Sequence, residues 1–297
     1  MITNPTTPSE LAELIQRFST FHTRDELNTL FLEILESNAR QELQDALAKD
    51  RAKLKSVNPD IAGLLLELYC RMDVPGIEED MVYWLGQPYE EPATVAAAFA
   101  RQIIKTEPAL THMRQALRES LTRTTTNRTL LIETTSSFAS FADEKDLDFL
   151  LTQLPTLDDY ATSFAYSALT HRATKTNNSD FLGVSFPAYY TYGLDFVRKQ
   201  ISNDVPLVSQ KNARILPVLE FMVGVAPERA FDDMTSLLFT ALERQEQRIG
   251  ALILISLQSL QQQGYDIHAK LQSQQITKKD SKLFNQMMQY LHSEEPL

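Results

Sequence analysis

Residues able to do chemistry are sparse and scattered in this chain. His22, His112, His171, His268 and His292 stand far apart, and none follows a glutamate by three residues. The Glu-x-x-His pairs that hold two iron ions in helical bundles are therefore absent, and so is a His-Glu-x-x-His zinc helix. Cys70 is the sole cysteine, which removes an intramolecular disulfide and any cysteine-based zinc site. Its apolar helical surroundings predict a buried, inert thiol. No Gly-x-Ser-x-Gly elbow, phosphate loop or Gly-x-Gly-x-x-Gly turn occurs, so the backbone geometries of the standard hydrolases, nucleotide triphosphatases and dinucleotide enzymes are missing. The carboxylate doublets Asp158/Asp159 and Asp232/Asp233 have acid–base capacity. Both fall at expected helix starts, where acids complement the free N–H groups and the macrodipole. The expectation is no catalytic residue, no metal site and no cofactor.

Two other constellations stand out. Between Arg71 and Arg101 there is no basic residue, while Asp73, Glu78, Glu79, Asp80, Glu90 and Glu91 supply six negative charges interleaved with Tyr83, Trp84 and Tyr89. Acids steer a basic partner and aromatics give contact area at low entropic cost, which suits a protein-binding surface. The alternative is a core tryptophan with half-buried tyrosines under a solvated acidic face. The second constellation is Phe181, Phe186, Tyr189, Tyr190, Tyr192 and Phe196, with Pro187 and two glycines, in which Asp195 is the one charged residue. Rings with hydroxyl tips offer apolar area and orientation for a small-molecule or peptide pocket. Packing of an irregular approach against neighbouring helices is the competing account.

Helices must position both. Pro59, Pro75, Pro92 and Pro108 recur at gaps of 16, 17 and 16 residues, each opening a stretch with apolar residues at helical period. Proline is tolerated in the first turn because the N–H it lacks would have had no intrahelical acceptor. Behind Pro59, Ile61, Leu64, Leu65, Leu68 and Met72 form one stripe, with Asn58 placed to cap. Ser9 is expected to cap a first helix, and Thr23 with Glu26 to form a capping box for a second. A polar helix follows, ending near Lys55. Further helices are expected near 127–142, 144–154, 156–172, 186–202, 207–224, 228–245, 246–263 and 279–292. The polar run 174–180 marks the best internal loop, dividing a single elongated domain, 1–297, into 1–173 and 181–297. Glycine is scarce, with only 8 residues, and alternating patterns are hard to find. The fold class is all-α, built of stacked antiparallel helix pairs in an α-solenoid or superhelix.

Net charge is −11, divided unevenly: residues 1–148 carry 24 acidic and 15 basic side chains, residues 149–297 carry 15 and 13. Such a surface repels phosphate backbones and anionic membranes. Arg114, Arg118 and Arg123, like Lys270, Lys278, Lys279 and Lys282, read as solvated faces and not as a phosphate track. Neither apolar run, 215–226 or 250–257, approaches the ~20 residues of a membrane span, and Met1 to Ser9 lack the blocks of a signal peptide. A soluble, cytoplasmic protein with no nucleic-acid or membrane partner is expected.

The segment Leu147 to Ala173, LDFLLTQLPTLDDYATSFAYSALTHRA, resembles the HEAT-type helical repeat. It has a leucine-striped first helix, an acidic turn, and a second helix carrying Ala165, Ala168 and Leu169. The arginine often found early in that second helix is replaced by Ala161 or Thr162. The resemblance covers about 27 residues and implies a helical scaffold that binds macromolecules and has no catalytic residues of its own. Tetratricopeptide repeats have a similar period, but Trp84, Leu85, Gly86 and Tyr89 do not fall at their offsets.

The sequence thus predicts a noncatalytic helical-repeat protein that binds a basic protein, an acidic inhibitor or immunity-type protein being one concrete form. A helical ligand-binding protein or enzyme using residues 181–196 is the alternative from a different class. A structural subunit of a larger assembly is a third.

Overall fold

The computed structural model describes residues 8–21, 23–123, 125–176, 186–202, 211–244 and 246–273. Among them the fold is all-α: 15 helices and two short 3-10 turns, with no strand. Contacts divide the chain into two compact units, Met1–Ala142 and Asp143–Leu297. The division falls at the junction of two helices and not at the polar run 174–180, whose first residues continue a helix and whose last four lie outside the described residues.

The first unit holds α1 (Pro8–Thr20), α2 (Arg24–Glu36), α3 (Arg40–Asp50), a 3-10 turn (Arg51–Lys55), α4 (Pro59–Arg71), α5 (Ile77–Gly86), α6 (Glu90–Ile103), α7 (Ala109–Leu121) and α8 (Arg128–Phe141). Helices α2, α4, α6 and α8 pack in succession as one row, while α5 lies on α6 and α7, and α7 on α8. The row closes tightly because α6 is alanine-rich: Ala93, Ala96, Ala97 and Ala100 are all buried. Gly63 of α4 serves the same approach, since a Cβ there would stand 2.7 Å from Glu91 Cγ. Glu91 is held in turn by a two-pronged pair with Arg24 of α2, at 2.6 and 2.9 Å.

Start signals hold in part. Thr23 and Glu26 form the capping box, and Asn58 caps α4 with Pro59 in its first turn. Pro92 is the third residue of α6, still within the turn whose N–H groups lack acceptors. Pro108 occupies the N-cap of α7. Pro75 lies outside α5, whose N-cap is Gly76 at φ 81°, a left-handed conformation that favours glycine. Ser9 falls within α1, which begins at Pro8.

The second unit holds α9 (Glu144–Gln153), a 3-10 turn (Leu154–Thr156), α10 (Asp159–Thr176), α11 (Phe186–Ser202), α12 (Lys211–Val225), α13 (Pro227–Glu243), α14 (Gln247–Gln262) and α15 (Ile267–Ser273). The expected helix 279–292 lies outside the described residues, and α15 was not expected. Helix α12 is the hub, packing on α10, α11, α13 and α14. Its Ile215, Val218, Leu219, Phe221, Met222 and Val223 are all buried while Glu220 and Gly224 are exposed, a broad apolar face with one open side. Among the described residues no helix is long and apolar enough to cross a membrane.

Candidate functional site

The acidic, aromatic stretch is sorted by the fold into interior and surface. Asp80, in the first turn of α5, is only 2% exposed, and Trp84 one turn later equally so. A stripe that buries Ile77, Met81, Trp84 and Leu85 carries Asp80 inward with it. Asp80 Oδ2 lies 3.2 Å from Arg51 Nε and Oδ1 3.3 Å from Lys55 Nζ, both supplied by the 3-10 turn. The contact to Arg51 is an ion pair without hydrogen-bond alignment. Burial pushes the Asp80 carboxyl upward, and the two cations oppose that shift.

The neighbours of Asp80 are engaged in the same way. Arg51 also reaches the Pro75 carbonyl and Glu79. Lys55 lies over the half-buried Tyr83 ring, which meets Trp84 edge-on. Asp73 is exposed, at a positive φ of 53°. The bases missing from residues 72–100 thus come from the preceding helix and turn. Asp80 and Trp84 are interior residues and offer no surface to a partner, because the partner-like charges they meet belong to this chain.

Tyr89 and Glu90 remain outside at the corner between α5 and α6, whereas Asp73, Glu79 and the half-buried Glu78 lie at the other end of α5. Tyr89 is 45% exposed, its ring 6.2 Å from that of Trp84. Glu90 beside it is exposed and accepts a 2.6 Å hydrogen bond from Thr125 Oγ1. Arg123, just past α7, donates to the carbonyls of Leu85 (2.7 Å), Gln87 (3.1 Å) and Gly86 (3.1 Å). It therefore closes the C-terminal end of α5, where carbonyls lack intrahelical partners and a cation is favoured.

Between this corner, the end of α7 and the start of α8 lies a cleft of about 170 Å³. Pro88, Ala93, Leu121, Leu130 and Leu131 form its apolar walls, with Tyr89, Glu90, Ser120, Arg123, Thr125 and Thr134 supplying polar groups. Thr134 is 1% exposed, and its hydroxyl has no hydrogen-bond partner among the described residues. Sequence reasoning found Tyr89 and Glu90 but missed Arg123, Thr125 and Thr134. The available signal was the run Thr134, Thr135, Ser136, Ser137, four consecutive hydroxyl residues of α8, all buried, so that α8 is covered most of the way round at this level.

The second constellation is a scaffold of hydrogen bonds. Tyr189 is fully buried and donates to the Leu147 carbonyl at 2.6 Å. Tyr166 donates to the Tyr189 carbonyl at 2.6 Å, and Tyr192 to the Leu154 carbonyl at 2.9 Å. Tyr190, also fully buried, donates to Asp233 Oδ2 at 3.0 Å beneath the Arg229 guanidinium. Burial pushes all four phenols upward. Phe186 is half-buried against Tyr190, and Phe181 lies outside the described residues. The hydroxyls of Tyr189, Tyr190 and Tyr192 thus tie α9, the 3-10 turn after it and α13 to α11, and that of Tyr166 ties α10 to α11.

Among the described residues no group of three or more His, Cys, Asp or Glu side chains is placed to hold a metal ion. Cys70 is buried, and burial raises its thiol out of the reactive range. Comparison of the chain with protein-family profiles, with curated proteins and with solved structures finds no match.

Proposed function

We propose that this chain is a noncatalytic helical-repeat protein, HEAT-like in its succession of helix pairs and cytoplasmic in setting, which binds a basic partner protein through the α5–α6 corner. The observation that supports this most is the exposed Tyr89 beside the carboxylate of Glu90, at the mouth of a cleft left open by the packing of α6, α7 and α8. An exposed aromatic flanked by acid joins contact area to charge steering. The aromatic cluster of α11 supports a ligand pocket less well, since the hydroxyls that would orient a ligand are directed to backbone carbonyls and to Asp233.

The test is affinity capture from native cytoplasm at low and high salt. Wild type is compared with a variant combining Tyr89→Ser and Glu90→Gln, and the captured partner is then titrated. A basic partner whose association rate falls in the variant, together with its salt sensitivity, is expected. Unchanged association and unchanged salt dependence would remove the proposal.

A further inference from the structure

The walls of the cleft specify what fits it. Its volume, about 170 Å³, is well below the ~300–1,000 Å³ of sites that enclose a whole small-molecule ligand. It is on the scale of one anchoring side chain, and interfaces draw much of their energy from such anchors seated in pockets. Ala93, Leu121, Leu130 and Leu131 call for an apolar body. Thr134, the least exposed lining residue, calls for a polar edge at the inner end, because its buried hydroxyl is unpaired. Threonine in a helix populates two side-chain rotamers, so this hydroxyl can turn toward an occupant. At the rim, the Thr125 hydroxyl holds the Glu90 carboxylate in place, while the Arg123 donors point to the end of α5. Arg123 has its donors taken up by those carbonyls, so the charged group at the rim able to pair with an occupant is the Glu90 carboxylate.

We propose that this cleft receives a tyrosine or tryptophan from a basic segment of a partner protein, an assignment that rests on the protein-binding function above. The ring packs between Leu121, Leu130 and Leu131. Its phenol O–H or indole N–H meets Thr134 Oγ1, which can accept from either. A lysine or arginine beside the aromatic residue meets Glu90.

The test uses fragments first, so that it does not depend on a known partner. The full chain is titrated with p-cresol and with toluene, followed by the methyl resonances of Ala93, Leu121, Leu130 and Leu131. Saturable shifts at these methyls are expected, with p-cresol roughly 3- to 10-fold tighter than toluene, the increment of one net hydrogen bond. Thr134→Val should abolish that preference and Thr134→Ser restore it. Equal affinities, or shifts confined elsewhere, overturn the assignment, as does a preference that Thr134→Val leaves intact.

The acetylated, amidated peptide Lys-Ala-Tyr-Ala-Lys is then compared with versions carrying Phe or Ala at the centre, or Glu at both ends. The order Tyr over Phe over Ala, weakened by Glu90→Gln only for the lysine-flanked peptides, supports the proposal. Indifference to the flanking charge overturns its basic half. Self-association that is abolished by Thr134→Val would make a second copy the occupant and overturn the partner. A captured partner indifferent to Thr134→Val yet sensitive to the Tyr89 and Glu90 changes would remove the cleft assignment and leave the protein-binding function standing.

Discussion

The two aromatic regions look alike in sequence and differ in what their polar atoms do. Around α11, the hydroxyls of Tyr166, Tyr189, Tyr190 and Tyr192 each end on an acceptor within the same unit. Around α5, Trp84 Nε1, Tyr69 OH and Thr134 Oγ1 are buried without a partner among the described residues, and Tyr89 stands half in solvent. A saturated cluster fixes helices. A cluster with unused donors and an exposed ring retains capacity for a further contact, so aromatic density alone separates structure from recognition poorly.

The largest effects should come from removing a ring of the saturated cluster. Tyr189→Ala deletes a fully buried aromatic and its hydrogen bond to the Leu147 carbonyl, and should cost about 3–5 kcal/mol. Urea unfolding followed by far-UV circular dichroism measures this. Trp84 is the one tryptophan and belongs to the first unit, so its fluorescence should report little of the loss. A matching shift in tryptophan fluorescence would show that the two units unfold as one.

Deleting only the hydroxyls tests the contrast itself. Tyr189→Phe removes one of the two hydrogen bonds to the Leu147 carbonyl, which lies inside α9, and should cost about 0.5–1.5 kcal/mol, whereas Tyr69→Phe removes an unpaired hydroxyl and should cost nothing or stabilise. Equal costs in the same urea titrations would dissolve the distinction between the regions.

These contrasts also mark what was legible from the residues. Helix class, the Thr23 box, the Asn58 cap and the α11 bounds follow from spacing and local hydrogen bonding, which act over a few residues. The ion pairs of Asp80 do not, because they depend on Arg51 and Lys55 arriving from a turn some 25–30 residues earlier. The stretch 72–100 lacks bases only along the chain, not in space. The cleft was hidden for a related reason: its walls come from α6, α7 and α8, and its least exposed lining residue, Thr134, gains meaning only from being buried and unpaired.

Arg123 sharpens the comparison at a smaller scale, since it does for the end of α5 what the tyrosines do for α11. Arg123→Ala frees the carbonyls of Leu85, Gly86 and Gln87. Because the guanidinium is exposed and these carbonyls can be rehydrated, the loss should be about 1 kcal/mol, below the usual range for charged hydrogen bonds. Lysine should restore only part of it, since one ammonium cannot span three carbonyls. Tryptophan fluorescence in urea reads the change, and full rescue by Arg123→Lys would show that charge alone closes the helix.

The smallest expected effect concerns pH and Asp80, and its sign is fixed by burial. The folded carboxyl titrates above its ordinary value because desolvation outweighs the attraction of Arg51 and Lys55. A raised folded pKa means that the folded state binds the proton more tightly than the unfolded chain. That contribution is complete below the unfolded value and is lost as pH rises through the folded one. The wild type should therefore lose stability relative to Asp80→Asn as pH increases across that window, while the two run parallel at higher pH. Trp84 fluorescence in paired urea titrations isolates this difference from the other carboxylates, which both proteins share. A wild type that instead gains on Asp80→Asn with rising pH would show the two cations outweighing desolvation, making the α5 cluster an ionic clamp.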